Sequence, residues 1–306
     1  MSFWKNKRVL VTGAAGFIGS NLVENLINEG SDLVLIDNLE RGKIEYLGNS
    51  LDKAELHTED LRNKQFCENT IKNVDIVIHL ASKVGGIGFY TSNPYEVMDT
   101  NMQIDSNVLN AVIKNKIKYY FYASSAHVYP IELQGVADSP LIKEDHAYPA
   151  NPELTYGWAK LIAEKQILAA CVENPELNVA IARYIGIYGK NQDYKLETGS
   201  VIPVFSNRAI NHPAIPFSVW GTGKETRSYC YIDDAVAGTN IANLVIDISE
   251  KNIEVEYDTT KETLIWGQWC DCSKIKAEIG WEAQTTLSEG LRCVYEDIKR
   301  RLDNEK

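Results

Sequence analysis

A tyrosine and a lysine lie four residues apart at the start of a predicted helix, at Tyr156 and Lys160. Side chains at this spacing share one helical face, so a phenol and an ammonium group come close together. Tyrosine, with an ordinary pKa of about 10, is a poor base at neutral pH, and a neighbouring positive charge favours its phenolate. On its own, such a pair is also typical of an exposed helix face. As a functional pair it would take a proton from a hydroxyl group.

Serine hydroxyls at the end of a predicted strand favour the functional interpretation. Residues 119–123 form this strand, and Ser124 and Ser125 follow directly. Because ligands of parallel α/β sheets bind at the carboxyl ends of the strands, Ser125 can complete a hydrogen-bonding trio with Tyr156 and Lys160. A strand-end cap or a turn residue is the alternative role. Ser125, Tyr156 and Lys160 are therefore the predicted catalytic residues.

Three glycines follow the first predicted strand, residues 9–12, and lead into an amphipathic helical pattern. Gly13 allows a tight turn, Gly16 lets the backbone approach a pyrophosphate, and Gly19 lets the helix close onto the sheet. The amides at the helix N-terminus face the anion. A glycine triplet alone is a weak indication, but this one stands between a strand and a helix, as a dinucleotide-binding turn requires. The pattern predicts a dinucleotide diphosphate at this turn.

Asp37 follows the second predicted strand, residues 32–36. A carboxylate at this place accepts hydrogen bonds from the adenosine ribose and repels a 2′-phosphate, which predicts NAD rather than NADP. Arg41 leaves NADP as an alternative, because an arginine can pair with a phosphate. A plain turn residue is the other alternative for Asp37. An oxidised nicotinamide would add to the effect of Lys160 in favouring the phenolate of Tyr156.

Strands and helices alternate through most of the chain, which predicts an α/β fold with a Rossmann-like doubly wound parallel sheet. The predicted strands are residues 9–12, 32–36, 55–58, 75–80, 119–123 and 178–183. The helices after the first are predicted at residues 61–72, 101–114, 156–172, 201–211, 233–248, 273–279 and 288–302. Two segments, 83–100 and 130–152, are predicted to be loops that cover a site.

The domain prediction assigns residues 1–183 to an NAD-binding Rossmann-like domain. Residues 184–306 are assigned to a smaller C-terminal lobe that binds the substrate, with segments that can interleave between the two. Strict alternation of strands and helices fades in this second part, which favours a lobe over the strand ends.

Composition narrows the partners. The 306-residue chain has a formal net charge of −11 and no block of Lys or Arg, which argues against a nucleic-acid partner. The first strand starts too close to Met1 for a signal peptide, and no apolar run approaches membrane-spanning length. The six cysteines lack C-x-x-C spacing, which fits reduced thiols and predicts no metal site. We expect a cytoplasmic protein whose partner is a small molecule, with no membrane association.

Further motifs are distributed along nearly the whole chain. They are Thr12-Gly13-Ala14-Ala15-Gly16-Phe17-Ile18-Gly19, Asp60-Leu61-Arg62, His79-Leu80-Ala81-Ser82, Asn101, Ser124-Ser125, Tyr156-Gly157-Trp158-Ala159-Lys160, Trp220 through Arg227 and Leu287-Ser288-Glu289-Gly290-Leu291. Together they resemble the extended short-chain dehydrogenase/reductases of the nucleotide-sugar epimerase and dehydratase group. The resemblance implies an enzyme that uses NAD on a nucleotide sugar, with Ser125, Tyr156 and Lys160 performing the redox chemistry.

The resemblance also implies the contacts of cofactor and substrate. Besides the glycines and Asp37, the implied cofactor residues are Phe17, Ile18, Asn38, Asp60, Leu61, Leu80, Ala81, Lys83, Asn101, Ser124, Tyr156 and Lys160. The implied substrate residues are Gly86, Ser125, His127, Tyr156, Ser200, Val201, Arg208, Trp220 and Arg227. Asp60 and Leu61 would line the adenine site, and Arg227 would meet the diphosphate of the substrate. The helices at 101–114 and 156–172 resemble a dimer-forming pair, which implies a homodimer or higher homo-oligomer.

Three segments resemble more closely the GDP-mannose 3,5-epimerases and GDP-fucose synthases, which implies a GDP-linked, mannose-type sugar. They are Lys83 through Gly88, Ser124 through Pro130 and Ser200 through Pro203. Those enzymes use a cysteine and a His or Lys as an acid/base pair, and the matching positions here hold His127 and Ser200. Epimerisation beside a ketone needs a base on one face and an acid on the other, and an unassisted serine can be neither. The acidic pair by which dehydratases expel water is also replaced, by Ala126-His127.

Hydride removal alone is therefore the predicted reaction. Tyr156 would deprotonate a sugar hydroxyl, on carbon 4, while the hydride passes to NAD. The predicted activity is a 4-dehydrogenase acting on a GDP-mannose-type sugar such as GDP-manno-heptose. One alternative is a 4-epimerase, which uses the same three residues and returns the hydride to the other face. A 3,5-epimerase with His127 as base is another, and a non-catalytic NAD-sensing protein is the last.

Overall fold

The computed structural model describes residues 4–134, 140–222, 224–232, 236–238, 256–258, 267–279 and 283–305. The chain forms two compact units whose segments interleave. The first comprises Met1–Val84, Tyr90–Val128 and Leu154–Tyr184, and the second comprises Gly85–Phe89, Tyr129–Glu153 and Ile185–Lys306. The assignment of residues 1–183 and 184–306 to cofactor and nucleotide-sugar binding stays a prediction.

The first unit is built on six parallel strands in the spatial order β3-β2-β1-β4-β5-β6. These strands are β1 (Arg8–Thr12), β2 (Asp32–Ile36), β3 (Ala54–His57), β4 (Ile76–His79), β5 (Tyr119–Ser125) and β6 (Asn178–Tyr184). The chain moves outward from β1 to β3 and then returns to β4 on the other side of β1. Strand order thus reverses between β1 and β4, where sheets of this kind bind ligands. The predicted α/β fold class is confirmed.

Helices cover both faces of this sheet. They are α1 (Phe17–Asn28), α2 (Lys64–Thr70), α4 (Pro94–Lys114) and α5 (Thr155–Glu173), with the short α3 (Ile87–Ser92) before α4. Alternate residues of β1 enter two separate cores: Leu10 packs in the core beneath α4 and α5, and Val9 and Val11 pack in the core beneath α1. This period of two follows from the pleat of a strand. Because both faces are buried, the strands are nearly continuous runs of apolar residues.

Two helix starts differ from the sequence predictions by three residues or more. Helix α4 begins at Pro94 rather than at residue 101, because proline is well suited to the first helical position. Helix α2 begins at Lys64 rather than at residue 61, because the Asn63 side chain accepts a hydrogen bond from the Phe66 amide, 3.1 Å away, and caps the helix there. The segment 83–100, predicted as a loop, therefore contains α3 and the first two turns of α4.

Two strands extend further at their carboxyl ends than predicted. The predicted strands at 119–123 and 178–183 continue to Ser125 and Tyr184, which are paired in register. The serines predicted to follow β5 are thus part of the sheet. Sheet pairing fixes the backbone of both serines.

The second unit contains short strands and three helices among its described residues. They are β7 (Ile187–Tyr188), α6 (Val201–Asn211), β8 (Ser218–Trp220), β9 (Thr226–Tyr231), β10 (Val236–Gly238), β11 (Glu256–Asp258), β12 (Gly267–Gln268), α7 (Ser273–Ile279) and α8 (Leu287–Asn304). Strands β10, β9 and β12 are neighbours, β7 also pairs with β9, and β11 pairs with β8. Aromatic side chains from β7, α6 and β9 pack against the apolar face of α8 in its core.

The helix predictions for this unit had mixed outcomes. The helices at 201–211 and 273–279 are confirmed, and the one predicted at 288–302 runs from Leu287 to Asn304. It begins one residue earlier because Thr286 and Glu289 form a capping box. Of the helix predicted at 233–248, residues 236–238 form strand β10, and the remainder lies outside the described residues.

No helix in the described ranges is both long and apolar enough to cross a bilayer.

The close approach of α1 to the first turn generates a stability prediction. A Cβ atom at Gly19 would lie 2.1 Å from the Gly13 carbonyl oxygen and 2.8 Å from the Ala14 Cα atom, which are both backbone atoms. Since backbone cannot rotate away, we expect Gly19→Ala to lower the free energy of unfolding by about 3 kcal/mol. Chemical denaturation measures this change.

Gly88→Ala is the matched control, because Gly88 lies in helix α3 with open space around its Cβ position. Alanine is the better helix former, so this variant should be as stable as the unaltered protein or more stable by up to about 1 kcal/mol. Equal stability of the two variants would contradict the close-approach argument.

Candidate active site

Tyr156 and Ser125 come together at the carboxyl edge of the sheet. Tyr156 is the second residue of α5, and Ser125 is the last residue of β5. Only 8% of Tyr156 is exposed, and its side chain forms hydrogen bonds with those of Ser82 and Ser125. The Ser125 hydroxyl oxygen also accepts a hydrogen bond from the His127 amide, 3.2 Å away. The phenol of Tyr156 thus lies between two serine hydroxyls.

Two further rings surround Tyr156. The Tyr90 ring stacks on it at a centroid distance of 5.1 Å and an interplanar angle of 24°. The His127 ring meets it edge-on at 5.8 Å and 77°, and Tyr90 and His127 contact each other at 6.1 Å. His127 is among the residues predicted from sequence, whereas Tyr90 is not, because Tyr90 lies in α3, within a predicted loop. The three rings form an aromatic cluster beside Ser125.

In the protein alone, the pKa of Tyr156 is raised. Burial raises the pKa of Tyr156 to about 12, the hydrogen bonds with Ser82 and Ser125 oppose this rise, and the negative charge of Asp105 adds to it. The expected lowering by Lys160 is therefore not found in the protein alone. The Lys160 ammonium group instead lies 4.0 Å from an Asp105 carboxylate oxygen and 4.6 Å from the centroid of the Tyr122 ring.

Asp105 is the centre of a buried polar network that the sequence patterns did not indicate. Its Oδ1 atom lies 3.0 Å from His79 Nε2, and its Oδ2 atom accepts a 2.8 Å hydrogen bond from the Tyr122 hydroxyl. The other ring nitrogen of His79, Nδ1, lies 2.7 Å from the Thr12 hydroxyl at the end of β1. The network therefore connects α4 with the carboxyl ends of β1, β4 and β5.

A second buried group fixes α5 to the sheet. Glu164, one helical turn after Lys160, accepts a 2.5 Å hydrogen bond from the Ser124 hydroxyl. Arg183 on β6 donates to both carboxylate oxygens of Glu164, at 3.0 and 2.8 Å. Two-point pairing of this kind fixes orientation as well as distance. It holds the helix that carries Tyr156 and Lys160 against β5 and β6.

The first turn fits a dinucleotide. Gly13 has φ = +66°, and a Cβ atom there would lie 2.9 Å from the Ala81 amide nitrogen, so no side chain fills the turn. Helix α1 starts after Gly16 with no side-chain cap, which leaves its N-terminal turn suited to an anion. Asp37 is buried at the end of β2 and accepts hydrogen bonds from the amides of Ala15 and Leu39 at 3.0 and 2.8 Å. Burial raises the pKa of Asp37, and these amide hydrogen bonds oppose that rise.

Asn101 and Lys83 form hydrogen bonds and ion pairs with residues near this turn. The Asn101 side-chain amide donates to the carbonyls of Val97 and Lys83, and its oxygen accepts from the Ser82 hydroxyl and the Lys83 amide. The Lys83 ammonium group pairs with Glu40 and also lies 3.1 Å from a Glu96 carboxylate oxygen. Asn101 thus fixes the segment after β4. The other predicted cofactor residues also lie in the first unit: Phe17, Ile18, Asn38, Asp60, Leu61, Leu80, Ala81 and Ser124. Their roles stay predictions.

The remaining predicted substrate residues belong to the second unit. They are Gly86, Ser200, Val201, Arg208, Trp220 and Arg227. Ser200 precedes α6 and accepts a 2.7 Å hydrogen bond from the Gln192 amide nitrogen. Arg208 donates to the Ser218 carbonyl, and Arg227 donates to the Thr226 carbonyl at 2.8 Å. Burial lowers the pKa values of both arginines. Their assignment to a substrate stays a prediction.

Comparison with known proteins gives one consistent result. Residues 9–244 match the NAD-dependent epimerase/dehydratase family. GDP-mannose 3,5-epimerase of Arabidopsis thaliana is 30% identical over 99% of this chain and 86% of its own length. A putative UDP-glucose 4-epimerase of Methanocaldococcus jannaschii is 30% identical over 95% of this chain and 98% of its own. The crystal structure of a UDP-glucose 4-epimerase of Thermotoga maritima has the same fold, with a TM-score of 0.85 and 24% identity over 96% of this chain and 99% of that one.

The position of Asp37 generates a cofactor prediction. We expect the purified protein to bind NAD about 100-fold more tightly than NADP, because juxtaposing a 2′-phosphate with a buried carboxylate costs several kcal/mol. Asp37→Asn should reduce this preference to less than about 10-fold, since the repulsion is removed. Isothermal titration calorimetry with each dinucleotide measures both affinities.

Asp32→Asn is the matched control, because Asp32 lies at the other end of the same strand and pairs with Arg8. It should leave the preference unchanged. Equal affinities of the unaltered protein for the two dinucleotides would contradict the assigned role of Asp37.

Proposed function

Because the chain belongs to the NAD-dependent epimerase/dehydratase family, we propose that it oxidises a hydroxyl group of a nucleotide sugar. The proposed substrate is a GDP-mannose-type sugar such as GDP-manno-heptose, and the reacting hydroxyl is that on carbon 4. The product is the keto sugar, released without epimerisation or dehydration.

Ser125, Tyr156 and Lys160 perform the proton chemistry of this proposal. Tyr156 takes the proton of the sugar hydroxyl, and Ser125 holds that hydroxyl and the phenol in one hydrogen-bonded arrangement. NAD, held by the glycine turn and Asp37, supplies the hydride acceptor and, when oxidised, a positive charge. Because burial raises the pKa of Tyr156 to about 12, the phenolate needs additional positive charge to form at neutral pH.

The proposal that no epimerisation takes place rests on the surroundings of the His127 and Ser200 side chains. Epimerisation at carbons 3 and 5 needs a base and an acid on opposite faces of the sugar. Ser200 accepts a hydrogen bond from an uncharged amide, that of Gln192, which does not make it a stronger base. His127 packs edge-on against Tyr156, and we assign it to a hydrogen bond with a sugar hydroxyl. The protein therefore has one proton-transfer centre rather than two.

The GDP-linked sugar rests on similarity. The Arabidopsis relative, a GDP-mannose 3,5-epimerase, matches nearly the whole chain. In this proposal the buried guanidinium group of Arg227 meets the diphosphate, since arginine forms two-point hydrogen bonds with phosphate oxygens. Arg208, Trp220, Val201 and Gly86 complete the substrate residues.

A 4-epimerase is the second candidate, favoured by the Methanocaldococcus relative, a putative UDP-glucose 4-epimerase. It would use the same Ser125, Tyr156 and Lys160 and return the hydride to the other face of the keto sugar. A protein that only senses NAD is disfavoured, because it would have no use for a tyrosine enclosed by two serines and two rings.

The proposal includes a cytoplasmic location and a homodimer. All six cysteines lie in the described part of the chain and none is in a disulfide, as is usual in a reducing compartment. Helices α4 and α5 pack together and expose large apolar side chains to solvent. These side chains are Tyr95, Met102, Trp158, Leu168 and Val172. Apolar exposure of this extent favours an interface with a second copy.

The first prediction separates a dehydrogenase from an epimerase. With GDP-mannose or GDP-manno-heptose in deuterated water, we expect one NADH per keto sugar and no deuterium on carbons 3 and 5. Absorbance measures NADH, and mass spectrometry with NMR locates the deuterium. Isomers formed without net NADH would establish the 4-epimerase, and rapid label uptake at carbon 3 or 5 would show a second base.

Tyr156→Phe should lower the rate of NADH formation by at least about 100-fold, because the proton acceptor is lost. The exposed Tyr148 provides a matched control, and Tyr148→Phe should leave the rate unchanged. Full activity of the Tyr156 variant would exclude the assigned base.

Another prediction concerns the homodimer. Leu168→Glu places a charge on the exposed apolar face of α5, so it should convert the dimer into monomers at micromolar concentration. Light scattering after size-exclusion chromatography measures the mass. Leu141→Glu, at an equally exposed leucine of the second unit, should keep the dimer. A monomeric unaltered protein would contradict this assignment.

A further inference from the structure

Asp105 is a buried carboxylate that the proposed reaction does not use. It lies in α4, is 3% exposed, and is enclosed by groups from three other elements. The titratable groups facing it are His79 of β4, Tyr120 and Tyr122 of β5, and Tyr156 and Lys160 of α5. Burying an ionised carboxylate costs free energy unless the group is paired and hydrogen-bonded, so the groups around Asp105 must offset that cost.

The hydrogen bonds around His79 define its tautomer. The Thr12 hydroxyl oxygen accepts hydrogen bonds from the amides of Leu80 and Ala81, at 3.2 and 3.1 Å. Its single proton is then directed at His79 Nδ1, 2.7 Å away. With Nδ1 as an acceptor, the neutral ring carries its proton on Nε2 and donates it to Asp105. Burial lowers the pKa of His79, in agreement with a neutral ring.

Asp105 therefore accepts from every partner that approaches it. His79 donates to Oδ1, the Tyr122 hydroxyl donates to Oδ2, and the Lys160 ammonium group lies 4.0 Å from Oδ1. Such surroundings stabilise the ionised carboxylate, and they hold the pKa of Asp105 below its usual range despite burial. His79 and Tyr122 contribute no net charge, so the charge that balances Asp105 is that of Lys160.

The converse holds for Lys160. Only 2% of its side chain is exposed, and burial lowers its pKa, while the negative charges of Asp105 and Glu164 oppose this effect. Glu164 is already paired with Arg183, at 2.8 Å. Asp105 is thus the carboxylate within ion-pair distance of Lys160 in the part of the chain that the structure describes.

We propose that Asp105 is a positioning residue that keeps Lys160 protonated and holds its ammonium group in place on α5. The hydrogen bond between Thr12 and His79 orients His79, which in turn holds the Asp105 carboxylate in place. The protonation of Lys160 is thereby connected to the end of β1, where the glycine turn begins. The same negative charge acts on the Tyr156 phenol, so Asp105 sets the proton affinities of two members of the predicted catalytic trio together.

The consequence for catalysis rests on the function proposed above. Removing a negative charge lowers the pKa of every nearby acid. The acidic limb of the pH profile of NADH formation, which reports the phenol, and the alkaline limb, which reports the ammonium group, should both move to lower pH in Asp105→Asn. A substitution that only disturbed packing would lower the rate without moving both limbs in the same direction.

The decisive experiment is an NMR titration of the ligand-free protein, which does not depend on the reaction. Protein labelled with ¹³C-lysine gives a Cε resonance for each lysine, and Lys160→Met identifies that of Lys160. We expect Lys160 to be protonated at neutral pH in the unaltered protein. Asp105→Asn should lower its titration midpoint by at least about one pH unit, as expected for the loss of an opposite charge at this distance.

Two controls separate charge from packing. Tyr122→Phe removes a hydrogen bond to Asp105 but keeps the ring and the carboxylate, and Asp99→Asn removes the same charge elsewhere on α4. Both should leave the titration midpoint of Lys160 within about 0.3 pH unit of that in the unaltered protein, since the nearby charge remains.

A Lys160 that is neutral at neutral pH in the unaltered protein would overturn the proposal, whether or not the Asp105→Asn variant folds. An unchanged midpoint in a folded Asp105→Asn protein would also overturn it. If Asp105→Asn lowers the Lys160 midpoint but the unaltered protein has no dehydrogenase activity, the role of Asp105 stands and only the proposed function is refuted.

Discussion

The arrangement around the candidate active site centres on a buried pair of groups, the Lys160 ammonium group and the Asp105 carboxylate, whose nearest atoms lie 4.0 Å apart. A buried ammonium group without a partner is costly enough to lose its proton. Asp105 supplies the opposite charge, His79 and Tyr122 satisfy the two oxygens of that carboxylate, and Thr12 determines which nitrogen of His79 carries the proton. One electrostatic requirement thus couples β1, β4, β5, α4 and α5.

The same edge of the sheet holds the groups suited to proton transfer. Tyr156 is enclosed by the hydroxyls of Ser82 and Ser125 and by the rings of Tyr90 and His127. In the protein alone, burial raises the pKa of the phenol although the hydrogen bonds with the two serines oppose this rise. The proposed base chemistry of Tyr156 therefore needs positive charge added at the site, and in our proposal the oxidised cofactor supplies that charge.

Membership of the NAD-dependent epimerase/dehydratase family establishes the general chemistry, an enzyme acting on nucleotide sugars. The relatives are named as epimerases and as decarboxylases, so membership of the family leaves the overall reaction to be assigned from the site. Our proposal of oxidation without epimerisation rests on two residues: Ser200, which accepts a hydrogen bond from the Gln192 side-chain amide, and His127, whose ring packs edge-on against Tyr156.

Local sequence patterns were sufficient for the order of the first-unit strands and for placing Ser125 and Tyr156 together at the carboxyl edge of the sheet, whereas the catalytic role of Ser125, Tyr156 and Lys160 stays a prediction. Apolar runs defined the strands, the glycine spacing defined the first turn, and Tyr156 and Lys160 share a helical face at any α-helical geometry. The helix starts were predicted wrongly where a single residue fixes the start, as Asn63 does by capping and Pro94 by its position in the first turn. The spacing of apolar residues does not specify such a start to better than one or two turns.

Only the tertiary structure decided which side chains meet. Tyr90 and Asp105 lie far from Tyr156 and Lys160 in sequence, and no local pattern distinguishes a buried carboxylate in α4 from an exposed one. The rise in the pKa of Tyr156 in the protein alone has the same origin, because burial and the charge of Asp105 come from the packed elements. Spacing along one helix specified that Lys160 is near, but the charge that Lys160 balances comes from another helix. Sequence periodicity records the face on which a residue lies, whereas electrostatic balance is a property of all the elements packed against that face.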